Sequence, residues 1–122
     1  TKELSVDYSM LGTICKFVEK YSEIRLQKHK PVCGEHAFAH ESGTHIAGLL
    51  KNSSTYENFS ADTIGRERKI IFGKHSGLSG IKHFFGKDLS DEACSLLLER
   101  IKTHSSEKKK GFSEGEVQQL FF

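Results

Sequence analysis

Only one stretch of this 122-residue chain, Lys69-Ile70-Ile71-Phe72, has the branched and aromatic run that reads as a β-strand. Everything around it carries helical spacing, caps or turn residues, so a fold built on a large sheet is excluded. A lone strand cannot stand by itself. The run therefore needs a partner, and with no second strand-like run in view, that partner is sought outside the sequence.

The helical signals come in order. Tyr8, Leu11, Ile14, Cys15, Val18 and Tyr21 recur at helical spacing and predict an amphipathic helix over 7–22, capped by Asp7. Pro31 restricts Lys30 and ends any helical reading there, leaving residues 31–42 as a connector. Ile46, Leu49 and Leu50 predict a short helix that Ser42 or Thr44 would cap through its hydroxyl. Asn52–Ser60 reads as loop, and Ala61–Ile64 as a single turn closed by Gly65. Three further helices follow. The first carries Leu78, Ile81, Phe84 and Phe85 and stops at Gly86. The second starts at Ser90, uses Ala93, Leu97, Leu98 and Ile101, and fades into Ser105-Ser106. The third opens on the capping box Ser113-x-x-Glu116, with Phe112 and Val117 as a hydrophobic staple.

Composition narrows the function classes. A net charge of +2 is too mild for a nucleic-acid binder. The one basic cluster, Lys108-Lys109-Lys110, reads as a solvated helix end. No apolar run approaches the roughly 18 residues that span a bilayer, so no membrane contact is expected. Three widely spaced cysteines, Cys15, Cys33 and Cys94, do not form a disulfide framework, and a reducing cytoplasm is the expected compartment.

The chemistry concentrates in Phe38-Ala39-His40-Glu41-Ser42-Gly43-Thr44-His45, followed eleven residues after His45 by Tyr56. Helical spacing puts His45 in the first turn of the short helix, where an imidazole can donate or accept a proton near neutral pH. Two histidines that merely cap and pack are the plainer alternative. A second alternative is zinc on Cys33, His36, His40 and His45, although that order lacks the usual paired ligand spacing. Gly73-Lys74-His75-Ser76-Gly77 invites comparison with a phosphate loop. It fails, because Arg68 stands where the leading glycine belongs and His75 follows the lysine. What survives is a glycine-rich turn whose amides could receive an anion ahead of Leu78.

Taken together, Cys33–Asn52, Ser54-Thr55-Tyr56-Glu57, Ile64-Gly65 and Phe72–Gly77 resemble the region that follows the catalytic barrel in the homocitrate synthase and 2-isopropylmalate synthase family. The resemblance runs from about Leu4 to about Leu120 and is strongest to the short, nitrogen-fixation type of homocitrate synthase. It implies a mainly α fold of small helical subdomains with one short β element, normally appended to a (β/α)8 barrel that is absent from this chain. Residues 1–35 would hold the last barrel-type helix and a connector, 36–76 a first accessory subdomain with the His/Tyr motif, and 77–122 a second.

The same resemblance implies an acetyl-CoA-dependent Claisen condensation, with 2-oxoglutarate as the preferred 2-oxo acid and homocitrate as product. An isopropylmalate or citramalate synthase fragment is the runner-up, and a non-catalytic metal-binding interaction module is the rival from another class. His45 and Tyr56 match the family's catalytic histidine and tyrosine, which reach into a neighbouring subunit. His40, Glu41 and Ser42 would hold the His45 turn in place. Relatives commonly carry aspartate two residues after the histidine, where this chain has Ala47, as the lysine-pathway homocitrate synthases also lack it. The divalent metal and a catalytic glutamate are expected on the barrel, so no cofactor is expected in this chain. By itself the chain is expected to be inactive, and it is expected to form a homodimer or to associate with a barrel-bearing chain. Tyr8, Leu11, Val18, Phe121 and Phe122 are expected to lie open where that barrel would cover them.

Overall fold

The structure, a computed structural model, describes residues 5–122. Leu4, where the resemblance begins, and the first four residues of the expected 1–35 segment lie outside the described residues. The chain groups into two compact units, each assembled from two separated stretches: residues up to Ala39 with Glu57–Arg68, and His40–Tyr56 with Lys69–Phe122. The order of elements is α1 (Leu11–Ser22), β1 (Ala39–His40), α2 (Gly43–Lys51), β2 (Lys69–Ile70), α3 (Leu78–Phe85), α4 (Asp91–Lys108) and α5 (Glu114–Phe121), with short 3-10 turns between.

In the first unit Asp7 accepts the Ser9 N–H and caps a 3-10 turn over Tyr8–Met10, which leads into α1. Gly12 is buried there because α1 runs hard against the chain at Ile64 and Gly65. A Cβ on Gly12 would sit 2.7 Å from the Gly65 carbonyl oxygen. Phe38, Ala61 and Ile64 form a small core joined by Leu11 and Ala37. Arg68 grips the buried Glu57 carboxylate with two hydrogen bonds of 2.8 and 2.7 Å, which holds the guanidinium charged more firmly than usual. The Cys33 thiol hydrogen-bonds that of Cys15 and, with burial, pushes the Cys15 thiol up. Most of the predicted apolar face of α1 is open. Ile14, Val18 and Tyr21 are exposed, as is Tyr8, whereas Leu11 is half-buried on the Ala61–Ile64 turn.

The second unit holds the larger core. Phe72 is fully buried, with the rings of Phe84 and Phe85 at 5.6 and 5.0 Å. Its backbone pairs reciprocally with Phe112 through N–H···O bonds of 2.7 and 2.8 Å. Ile81, Cys94, Leu97, Ile101 and Val117 close around this pair, so one face each of α3, α4 and α5 converges on it. Ser90 and Ser113 cap α4 and α5 as predicted, and the capping box with Glu116 is complete. Phe112 and Val117 are both buried beside it. Phe121 packs against the same core, leaving Phe122 exposed.

Leu11 and Phe121, expected to lie open, are instead half-buried, because each packs against the core of its own unit. Three further expectations need correction. The β run does have a partner inside the chain. β1 and β2 form a two-stranded sheet, the Ile71 N–H donates to the His40 carbonyl at 2.9 Å, and Phe72 pairs with Phe112. The partner went unseen because two residues are too few to show alternation. Helix α4 does not fade at Ser105-Ser106 but continues to Lys108. The Ser106 hydroxyl donates to the Lys102 carbonyl and that of Ser105 to the Lys110 carbonyl, so neither competes with the helix from outside. Finally, Ser42 stands at the N-cap of α2 without capping it through its side chain. Its hydroxyl instead pairs with that of Thr44 at 2.9 Å.

Two stability outcomes follow. Gly115 in α5 has nothing within 4 Å of where a Cβ would stand, so Gly115→Ala should stabilise by about 0.5–1 kcal/mol through helix propensity. Gly43→Ala should do the opposite, since its Cβ would lie 2.6 Å from the backbone of Gly77. Thermal midpoints of the two variants should therefore move in opposite directions from the parent.

The Ser113 N–H, followed by the Lys110 ammonium, holds the Glu116 carboxyl below the usual glutamate range. A lowered folded value contributes stability above the ordinary glutamate pKa of about 4.3 and loses it as pH falls through the depressed value. The stability gap between the parent and Glu116→Gln should be largest near pH 6. It should close toward pH 3, and remain under about 1 kcal/mol because the pair is solvent-exposed.

Candidate active-site motif

Helix α2 carries the motif, and its first turn is fixed by the loop Gly73–Gly77. The Gly43 N–H donates to the His75 carbonyl at 2.9 Å, and the His75 N–H donates to Glu41 Oε1 at 3.2 Å. Within the loop, the Gly73 N–H donates to the Ser76 hydroxyl at 2.9 Å, while the Ser76 N–H donates to the Gly73 carbonyl at 3.1 Å. The amides that an external anion would use at positions 73, 75 and 76 are thus satisfied internally, and the anion presented to this turn is the Glu41 carboxylate. Gly73 makes room for it, since a Cβ there would lie 2.6 Å from Glu41 Oε1. Gly43 and Gly77 let the starts of α2 and α3 approach to backbone contact.

Downstream of α2, Asn52 Oδ1 accepts both the Ser54 N–H at 3.0 Å and the Ser54 hydroxyl at 2.8 Å. That Asx turn nucleates the Ser53–Thr55 turn and swings Tyr56 back over the helix. The Tyr56 ring lies against Gly48, where a Cβ would meet Tyr56 Cε2 at 2.6 Å. It also meets the His45 ring at 4.2 Å between centroids, tilted by 32°. The His40 ring stands 6.5 Å from His45, edge to face.

His45, Tyr56 and His40 are therefore brought together, with His45 and Tyr56 exposed and His40 half-buried. Glu41 acts on the 73–77 loop and Ser42 on Thr44, so both bear on the turn that starts α2. An imidazole and a phenol side by side and open to solvent can donate or accept protons toward a group placed over them. Among the described residues no group of three or more His, Cys, Asp or Glu side chains is arranged to hold a metal ion. His36, one of the four zinc candidates, sits edge-on to His29 at 4.9 Å.

The role of Gly48 was missed from sequence, although a signal existed. A glycine inside a short helix costs helix stability, and it is tolerated where another group must lie on its bare face.

The profile of the family described as homocitrate synthase post-HMGL domain-like matches residues 32–109. The chain belongs to this family. The matched residues cover the His45–Tyr56 constellation, the 73–77 loop, α3 and all of α4.

Curated relatives agree. The chain is 36% identical to homocitrate synthase AksA of Methanocaldococcus jannaschii over 88% of its own length and 27% of the relative's. It is 35% identical to 2-isopropylmalate synthase 2 of Caldanaerobacter subterraneus subsp. tengcongensis over 98% and 32%. With (R)-citramalate synthase CimA of M. jannaschii it shares 34% over 82% and 21%. The chain thus spans a third or less of the relatives it matches. It carries the mainly helical post-barrel region, and no barrel is present among its described residues. No described helix is long and apolar enough to cross a membrane.

The seat of Tyr56 gives a direct test. Gly48→Ala should leave the far-ultraviolet circular dichroism of α2 unchanged or slightly stronger while pushing the phenol ring away from His45. In proton NMR the His45 ring resonances, shifted by the stacked phenol in the parent, should return toward free-imidazole positions. Unchanged His45 resonances in this variant would show that Gly48 does not seat the ring.

Proposed function

We propose that this chain is the post-barrel portion of an acetyl-CoA-dependent acyltransferase that joins acetyl-CoA to 2-oxoglutarate and releases homocitrate, with His45 and Tyr56 as its catalytic residues. The observation that carries the reading is the His45–Tyr56 ring contact at 4.2 Å, presented on an open surface rather than inside a core. Family membership supports the reaction class. Among the relatives, homocitrate, isopropylmalate and citramalate synthases match at similar identity, so the 2-oxo acid is assigned by the overall resemblance to homocitrate synthases.

Attack of the acetyl-CoA enolate on the 2-oxo carbon develops an alkoxide, which needs a proton donor or a positive partner. The His45 imidazole supplies that partner, and the Tyr56 phenol orients the water that later hydrolyses the thioester. Glu41 keeps His45 at its height by fixing the loop under the first turn of α2, Ser42 fixes the start of that turn, and His40 supports the ring. The divalent metal implied by the resemblance has no fitting ligand group among the described residues. Because the pair faces outward, it serves a site completed by other protein, in this reading a barrel in the neighbouring subunit of a homodimer in the cytoplasm.

Subunit mixing tests the assignment. In the full-length enzyme, one parent lacks the barrel glutamate implied by the resemblance and the other carries His45→Ala. Each should be inactive alone. After random re-assembly half the dimers are mixed and hold one intact site, so about a quarter of wild-type activity is expected. Mixtures that stay at the background of the parents would exclude sharing of His45 between subunits. Assaying the wild-type enzyme with 2-oxoglutarate, 2-oxoisovalerate and pyruvate separates the three product classes.

A further inference from the structure

The basic run Lys108-Lys109-Lys110 has no part in the His45–Tyr56 constellation, and its side chains are exposed at the end of α4, as expected. Lys109 and Lys110 line an open cleft of about 540 Å3 together with Lys74, Glu41, Ser105 and Gly111, all within the second unit. Lys74 comes from the loop before α3, 35 positions earlier in the sequence. Three lysines from two separate elements therefore line one concavity. The carboxylate in the lining, Glu41, has one oxygen engaged by the His75 N–H.

The cleft lies at the C-terminal end of α4, where free carbonyls would repel an anion. The local bonding reduces that repulsion. The Ser105 carbonyl accepts the N–H groups of Lys109 and Lys110, and the Ser105 hydroxyl donates to the Lys110 carbonyl at 2.7 Å. Lys110 is steadied by Glu116 at 2.9 Å and lies over the Phe112 ring. Lys109 adopts the left-handed conformation, φ 52°, at a position where glycine is the usual and less strained residue.

We propose that this cleft is a binding site for a phosphate-bearing anion, held by Lys74, Lys109 and Lys110. The volume far exceeds what a single carboxylate needs. The lining offers ammonium point charges, which suit phosphate oxygens, and no guanidinium fork for bidentate carboxylate recognition. No aromatic ring lines the cleft to stack a base, so the phosphates rather than a nucleobase are recognised. Free diphosphate and the phosphorylated end of a nucleotide-type cofactor share this chemistry. The site stands on its own observations and does not depend on the role given to His45 and Tyr56.

Isothermal titration of the 122-residue chain at low salt decides the matter, using sodium pyrophosphate, adenosine 3′,5′-bisphosphate and adenosine as probes. One saturable site is expected for the two phosphorylated probes and none for adenosine. A preference for the bisphosphate points to a nucleotide-type ligand, and equal affinity to diphosphate alone. Lys74→Gln and Lys109→Gly should each weaken binding about three- to tenfold. Lys109→Gly should also raise the thermal midpoint, because glycine relieves the left-handed backbone, so lost binding there cannot be ascribed to misfolding. Lys16→Gln and Lys28→Gln in the first unit should bind like the parent. Absence of saturation, unchanged binding in the two cleft variants, or equal weakening in the control variants would overturn the proposal.

Discussion

The placement of the His45 helix depends on a contact made by what is missing. Gly43 and Gly77 meet backbone to backbone, with any Cβ on either lying 2.6–3.0 Å from the other residue. Only at that separation does the Gly43 N–H reach the His75 carbonyl, and only then does the 73–77 loop close over Glu41. A methyl at either glycine would push the first turn of α2 away and break the two hydrogen bonds that orient it. Bonds of this kind are individually worth about 1 kcal/mol, but losing one also leaves a desolvated partner behind. The crossing thus couples three features distant in sequence: the start of α2, the loop before α3, and the carboxylate between them.

The Phe72–Phe112 pair plays the corresponding role for the helices behind. Two buried aromatic residues exchange both backbone hydrogen bonds, so the segment before the 73–77 loop and the segment before α5 are locked together in the middle of the core. The loop that seats Glu41 begins at the residue after Phe72. Rigidity in the core therefore reaches the motif through one covalent bond, with no long mobile connection between.

Much of this was legible in the sequence, and the reasons for the rest are specific. Caps at Asp7, Ser90 and Ser113 and the stop at Gly86 are local signals with local causes, and each appears where it was expected. The family motif placed His45, Tyr56 and His40 in one neighbourhood. The partner of the β run was hidden because two-residue strands carry no pattern. Ser42 misled because a serine ahead of an apolar run looks like a capping residue, and nothing in the sequence says that Thr44 will take its hydroxyl. The glycines at 43, 48 and 77 read individually as turn residues or weak helix formers. Their function lies in what approaches them, a long-range property that local periodicity does not encode.

The exposure of the His45–Tyr56 pair carries a physical consequence. Electrostatic stabilisation of a developing charge is weak beside bulk water and grows as the surroundings lose solvent. A histidine and a tyrosine on an open helix face therefore hold geometry but lack the dry environment that gives such groups their effect. On the reading proposed here, the fold supplies half of what catalysis needs. Glu41, Gly43, Gly48 and Gly77 keep the two rings in register before any partner arrives, and a covering surface then excludes water. Order set in advance lowers the cost of forming the complete site, because few rotamers remain to be frozen on docking. The same logic explains why the rings lean on one another and on a bare glycine rather than on flexible side chains: a proton donor misplaced by about an ångström loses much of its value.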